Sequence, residues 1–82
     1  MAKLALSDFY AMRIFGRKAA GNGDGEALEQ AAIFLAACDE SETNLLLMEF
    51  HEGVRNIADD QYHTDMVMDA VQDKTLELIK ES

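Results

Sequence analysis

Proline and tryptophan are missing from this 82-residue chain, cysteine occurs once, and cations are scarce. The lack of proline favours helix throughout. A lone Cys38 cannot close an intramolecular disulfide, so no staple supports a core near the lower size limit for a single domain. That cysteine usage fits a reducing compartment. No stretch approaches the 18 consecutive apolar residues of a membrane span, and the opening MAKLALSDFYAMRIF is interrupted at Asp8, too early for a signal peptide. The expectation is a cytoplasmic protein without membrane contact.

The seven Lys and Arg stand against sixteen Asp and Glu, a formal net charge of −9. Residues 1–20 carry Lys3, Arg13, Arg17 and Lys18 against Asp8 alone, a net +3. Residues 21–82 carry Arg55, Lys74 and Lys80 against the other fifteen acids, a net −12. So acidic a surface repels phosphate backbones, which disfavours direct nucleic-acid binding and suits a protein partner with a basic surface. The same charge also serves solubility.

What the chain does contain is helix-forming. Ala, Leu, Met, Glu and Asp dominate, and 49% hydrophobic with 28% charged residues describes a globular chain, not a disordered one. Four segments carry helical periodicity. The first runs from about Lys3 to Ala20, starting at Ser7 or earlier and ending at Gly21, with Arg17 and Lys18 in its last turn. Ala5, Phe9, Met12, Gly16 and Ala19 line one side, while Leu6, Tyr10 and Ile14 form a second apolar side. Asp24 is the candidate N-cap of a second helix, Gly25 to Cys38, whose alanines make it slender and whose Cys38 reads as a buried thiol. Asp39 or Ser41 caps a third, about Glu42 to Asp60, with a stripe of Leu47, Phe50, Val54, Ile57 and Gln61. Gly53 inside it costs about 1 kcal/mol relative to alanine. Asp60 or Thr64 caps the last helix, with Val67, Met68, Val71, Thr75, Leu78 and Ile79 on one side; failing a break within residues 59–65, that helix is long and bent. The expected fold is all-α, one domain spanning residues 1–82: a compact antiparallel bundle of four helices, or of three with a long last one.

The glycine-rich GNGDGE, Gly21 to Glu26, resembles a cation loop only superficially. With Gly25 at the sixth position, Asn22 and Asp24 fall on ligand positions, but Ala20 and Ala31 occupy the first and twelfth. It reads as a hinge. HEGVR, from His51, has Arg55 where the HExxH zinc motif needs its second histidine. DQYH supplies one Asp-x-x-His pair, Asp60 and His63, where a di-metal bundle needs two. No nucleophile has a local partner pattern. These readings give no catalytic residue, no metal and no cofactor.

The interaction signal is apolar residues on the wrong side of their helices. Leu45 and Met48 fall opposite the third helix's stripe, towards Glu52, Arg55 and Asp59. Tyr62, Met66 and Leu76 fall opposite the last helix's stripe, beside Asp69 and Asp73. Leu45, Met48, Glu49, Glu52, Asp59, Tyr62, Met66, Asp69, Asp73 and Leu76 form the expected partner surface, and Leu6, Tyr10 and Ile14 the expected homodimer contact. The expectation is a non-enzymatic acidic protein that binds another protein and modulates or inhibits it. In size, acidity and lack of catalytic motifs the chain is similar to small phage and mobile-element inhibitors of host machinery, anti-CRISPR proteins among them. One such mechanism is nucleic-acid mimicry, with carboxylates of Glu49, Glu52, Asp59, Asp60, Asp65, Asp69 and Asp73 in a groove meant for phosphates. The alternatives are a homodimeric regulatory or assembly adaptor using apolar helix faces, and a metal-binding bundle.

A hinge at Gly21 to Glu26 holds no calcium. Micromolar calcium leaves the melting temperature unchanged, whereas a true binder would gain about 2.7 kcal/mol at a hundredfold excess over Kd. A saturable rise in melting temperature with calcium contradicts it.

Overall fold

Four aspartates decide where the helices begin. In the computed structural model, which describes residues 5–81, the helices are α1 (Leu6–Asn22), α2 (Gly25–Ala37), α3 (Glu40–Ile57) and α4 (Gln61–Glu81). Asp8 reaches back from the first turn of α1 to accept from the amide of Ala5 at 2.9 Å. Asp24 accepts from the amides of Glu26 and Ala27 at 3.0 and 3.2 Å. Asp39 accepts from the amide of Glu42 and the hydroxyl of Ser41, both at 3.0 Å. Asp60 accepts from the amide of His63 at 2.9 Å. Each carboxylate satisfies a donor that the helix cannot, at the end of the dipole that favours negative charge.

The choices left open by the sequence are thereby decided for Asp39 over Ser41 and Asp60 over Thr64. A three-residue break, Ala58 to Asp60, separates α3 from α4, so the bundle has four helices. Other boundaries shift. Lys3 and Leu4, expected in the first helix, lie outside the described residues, as does Ser82. Helix α1 continues past Gly21 to Asn22, and the left-handed residue is Gly23, at φ 60°. The amides of Gly23 and Asp24 both return to the Lys18 carbonyl. Arg17 and Lys18 therefore stand before the last turn, not in it.

The closest packing joins α1 to α3. Gly16 of α1 lies against the Phe50 carbonyl, and a methyl group there would also sit 3.0 Å from the amide nitrogen of Val54. Gly53 of α3 lies equally close to the Arg13 carbonyl of α1. Each helix presents its backbone to the other's where a side chain would stand. Further along, Gly21 meets the side chain of Ile57. Residue numbers rise together along this pair, so α1 and α3 run in the same direction. Helix α2 runs against them: Phe15 pairs with Phe34, their ring centroids 6.1 Å apart, while Lys18 lies beside Ala27. Helix α4 runs against α3, since Met68 lies by Met48 and His51 while Leu76 lies by Thr43 and Leu47, so consecutive helices alternate in direction, as in an antiparallel bundle. The Cα radius of gyration, 11.7 Å, matches the general scaling for a folded chain of this length.

Met12, Leu46, Phe50, Val54 and Val71 are the largest fully buried side chains, joined by the α2 alanines Ala27, Ala31 and Ala32. Thr64 and Thr75 are also buried on α4, and their hydroxyls donate to the carbonyls of Asp60 and Val71 at 3.2 and 2.7 Å. The buried side of α3 differs from the expected stripe. Leu46 is buried, Leu47 is only partly covered, and Ile57 is 43% exposed. Leu46, Phe50 and Gly53 are spaced four and three apart, so the close crossing at Gly53 turns that line inward. Ile79, expected on the inner side of α4, is 49% exposed.

Gly53→Ala forces a methyl group against the Arg13 carbonyl, which outweighs the roughly 1 kcal/mol that alanine gains in helix propensity. Overpacking of this kind costs about 1–3 kcal/mol, occasionally more. Urea denaturation detects the loss, while Gly25→Ala, with no atom within 4 Å of its added methyl, leaves stability equal or higher. Equal behaviour of the two variants contradicts the close crossing.

Candidate interaction surfaces

Eleven large apolar side chains among the described residues stand 43–76% exposed. They include every apolar residue expected to face outward. Leu6, Tyr10 and Ile14 on α1 are 76%, 63% and 48% exposed; Leu45 and Met48 on α3 are 51% and 67%. Tyr62, Met66 and Leu76 on α4 are exposed as well. Ile33, Ile57 and Ile79 complete the set and were not expected there; Ile33 follows a buried pair, Ala31 and Ala32, and its side was masked by that apolar run.

The structure divides the expected partner residues among three places. On α3, Glu49 turns towards α1. Both Nε and Nη2 of Arg13 donate to its Oε1, at 3.1 and 2.7 Å, in a partly buried ion pair. With Leu6, Phe9 and Tyr10 this pair lines a shallow groove of about 270 Å³. Leu45 and Glu52 lie one turn to either side of Glu49 on α3, both exposed. The ion pair joins residues 36 apart in sequence, and no local pattern announces it.

Met48 belongs elsewhere. It lines an open groove of about 360 Å³ between α3 and α4 with His51 and Met68. The exposed Asp59 lies in the connection after α3. Tyr62, Met66, Asp69, Asp73 and Leu76 share the outer side of α4, recurring at helical spacing. Met66 borders a groove of about 300 Å³ that Leu28 and the Gly23–Gly25 turn also line; Leu76 borders another of about 250 Å³ with Leu35 and Leu47.

The chemical groups are not gathered. His51 and His63 line different grooves. Among the described residues no three His, Cys, Asp or Glu side chains are placed to hold a metal ion. In the GNGDGE loop the Asp24 carboxylate is occupied by two amides. Cys38 is half-buried at the end of α2, not fully buried as its apolar run suggested, because α2 ends one residue earlier. Burial pushes its thiol up from the ordinary value, and the negative charges of Glu42, Asp39 and Asp8 push it the same way. Among the described residues no helix is long and apolar enough to cross a membrane.

Comparison with protein-family models, with curated proteins and with solved structures gives no match to this chain.

The Cys38 environment predicts slow alkylation at neutral pH, since only the thiolate reacts. Its rate should rise at a higher pH than that of a free cysteine, and Glu42→Gln should bring that midpoint down. The raised folded value also carries a stability sign: its contribution is full below the unfolded pKa and is lost as pH rises through the folded one. Labelling as fast as free cysteine at pH 7 contradicts this picture.

Proposed function

We propose that this chain is a small, acidic, non-enzymatic cytoplasmic protein that binds another protein with a basic surface and modulates or inhibits it. One observation supports the reading above others: the outer side of α4 combines Tyr62, Met66 and Leu76, 73%, 54% and 56% exposed, with Asp69 and Asp73 between them. Exposed apolar anchors interleaved with one sign of charge suit a partner whose apolar pockets are rimmed by cations. The acidity and size keep the phage or mobile-element type of inhibitor as the setting for this activity.

Pure nucleic-acid mimicry is less well supported than mixed apolar and acidic docking. Of the seven carboxylates expected to form the mimic, Glu49 is held by Arg13, Asp60 caps α4, and Asp65 accepts from the side-chain amide of Gln61 at 2.8 Å. The three apolar anchors, by contrast, are open to a partner.

The second element of the reading is self-association. Leu6, Tyr10 and Ile14 form an exposed apolar line on α1, on a different helix from the α4 surface. A chain this small gains from covering such a line with a second copy, and symmetric dimers are the commonest closed arrangement.

Chemical cross-linking in the native host, followed by binding measurements with the protein it identifies, tests the α4 reading. Met66→Glu should weaken binding at least tenfold. Raising salt from ~50 to ~200 mM should weaken it far less than the ~10³–10⁵-fold expected when six to ten phosphate-like contacts are lost. An unaffected Met66→Glu variant rules out the α4 surface, and a thousandfold salt effect returns mimicry to first place.

A further inference from the structure

The geometry points to a specific partner for the α1 side: a second copy of this chain, related by a two-fold axis along the helices, with each α1 lying on the other copy's α3. This rests on the self-association reading and gives it a docking geometry. The face in question spans two parallel helices. Its α1 half presents Leu6, Tyr10 and Arg17; its α3 half presents Leu45 and Glu52, and the Arg13–Glu49 ion pair is the seam between them.

Register makes the two halves complementary. Arg13 stands level with Glu49 and Gly53, Gly16 with Phe50 and Val54, and Gly21 with Ile57. The same spacing puts Tyr10 level with Leu46 and Leu47, where Leu45 is the neighbouring exposed side chain. It puts Arg17 level with Val54, beside the exposed Glu52. A two-fold axis parallel to the helices exchanges the halves while keeping direction and level. Tyr10 then meets the partner's Leu45, and Arg17 meets the partner's Glu52, each contact occurring twice. The groove between Leu6, Phe9 and Tyr10 receives the Leu45 side chain.

Charge singles out a second copy as the occupant. Two molecules of net charge −9 repel each other over most of their surface. On this face Arg13 and Arg17 offset Glu49 and Glu52, leaving Glu42 of the same α3 line as the excess acid, so the copies approach at lower cost than elsewhere, and cation is set against acid only in the exchanged arrangement.

Sedimentation equilibrium between ~1 and ~100 μM, with circular dichroism as a check on folding, tests it. The wild type should be dimeric at the upper end, and Tyr10→Ala should dissociate it. Arg17→Glu and Glu52→Arg should each raise the dimer Kd about tenfold, since each sets like charges together twice. The double variant Arg17→Glu/Glu52→Arg restores both pairs and should return to within about threefold of wild type. A wild-type monomer at ~100 μM overturns self-association altogether. A dimer indifferent to the single reversals, or a double variant no better than either, overturns this pairing alone. Both exchanged side chains are exposed, so the fold tolerates their replacement.

Discussion

The arrangement of this protein depends on two helices touching backbone to backbone. Gly16 and Gly53 each occupy a position where any side chain would collide with the opposite helix, and they do so for each other's neighbours, Phe50 and Arg13. A glycine within a helix costs about 1 kcal/mol, so a chain of this size carries two such costs to secure one crossing. What it gains is a tight seam along which Met12, Leu46, Phe50 and Val54 are fully buried. The crossing also pins Arg13 beside Glu49, giving the partly buried ion pair its geometry.

From that crossing the remaining organisation follows. With α1 and α3 so close, each presents only a narrow inward side, and a substantial part of its apolar surface faces outward. The slender α2, with Ala27, Ala31 and Ala32 buried, and the valine–threonine side of α4 close the core from the other direction. Much of the acidity is structural as well: Asp8, Asp24, Asp39 and Asp60 fix helix starts, and Glu49 holds Arg13. Other carboxylates, Glu52, Asp69 and Asp73 among them, stand exposed. The surface that results is both acidic and apolar, and the proposed association with other proteins rests on that combination.

The all-α class and the Asp24 cap were legible because each rests on local signals: capping residues, glycine, and a period of 3.6. The break before α4 was left open, because residues 59–65 hold no proline or glycine, and the Asp60 cap decides it. Outward placement of Leu6, Tyr10, Leu45, Met48, Tyr62, Met66 and Leu76 was legible for the same reason. The identity of α3's buried line was not. Counting only apolar side chains pointed to Leu47 and Ile57, because a glycine registers as a defect until its partner helix is known. Gly53 makes sense only opposite Arg13, forty residues earlier in the chain. The Arg13–Glu49 pair was hidden by the same sequence separation. It also places Glu49 at the α1–α3 seam.

The central claim is that the α1–α3 crossing is the most stable part of the fold and the elements around it are secondary. Native-state hydrogen exchange in increasing denaturant measures this directly, because it ranks local opening against global unfolding. The account predicts that amides around Gly16 and around Phe50 to Val54 exchange last, only through global unfolding, while the ends of α4 open earlier. Exchange of α1 by low-energy local opening, with α2, α3 and α4 still protected, would contradict it.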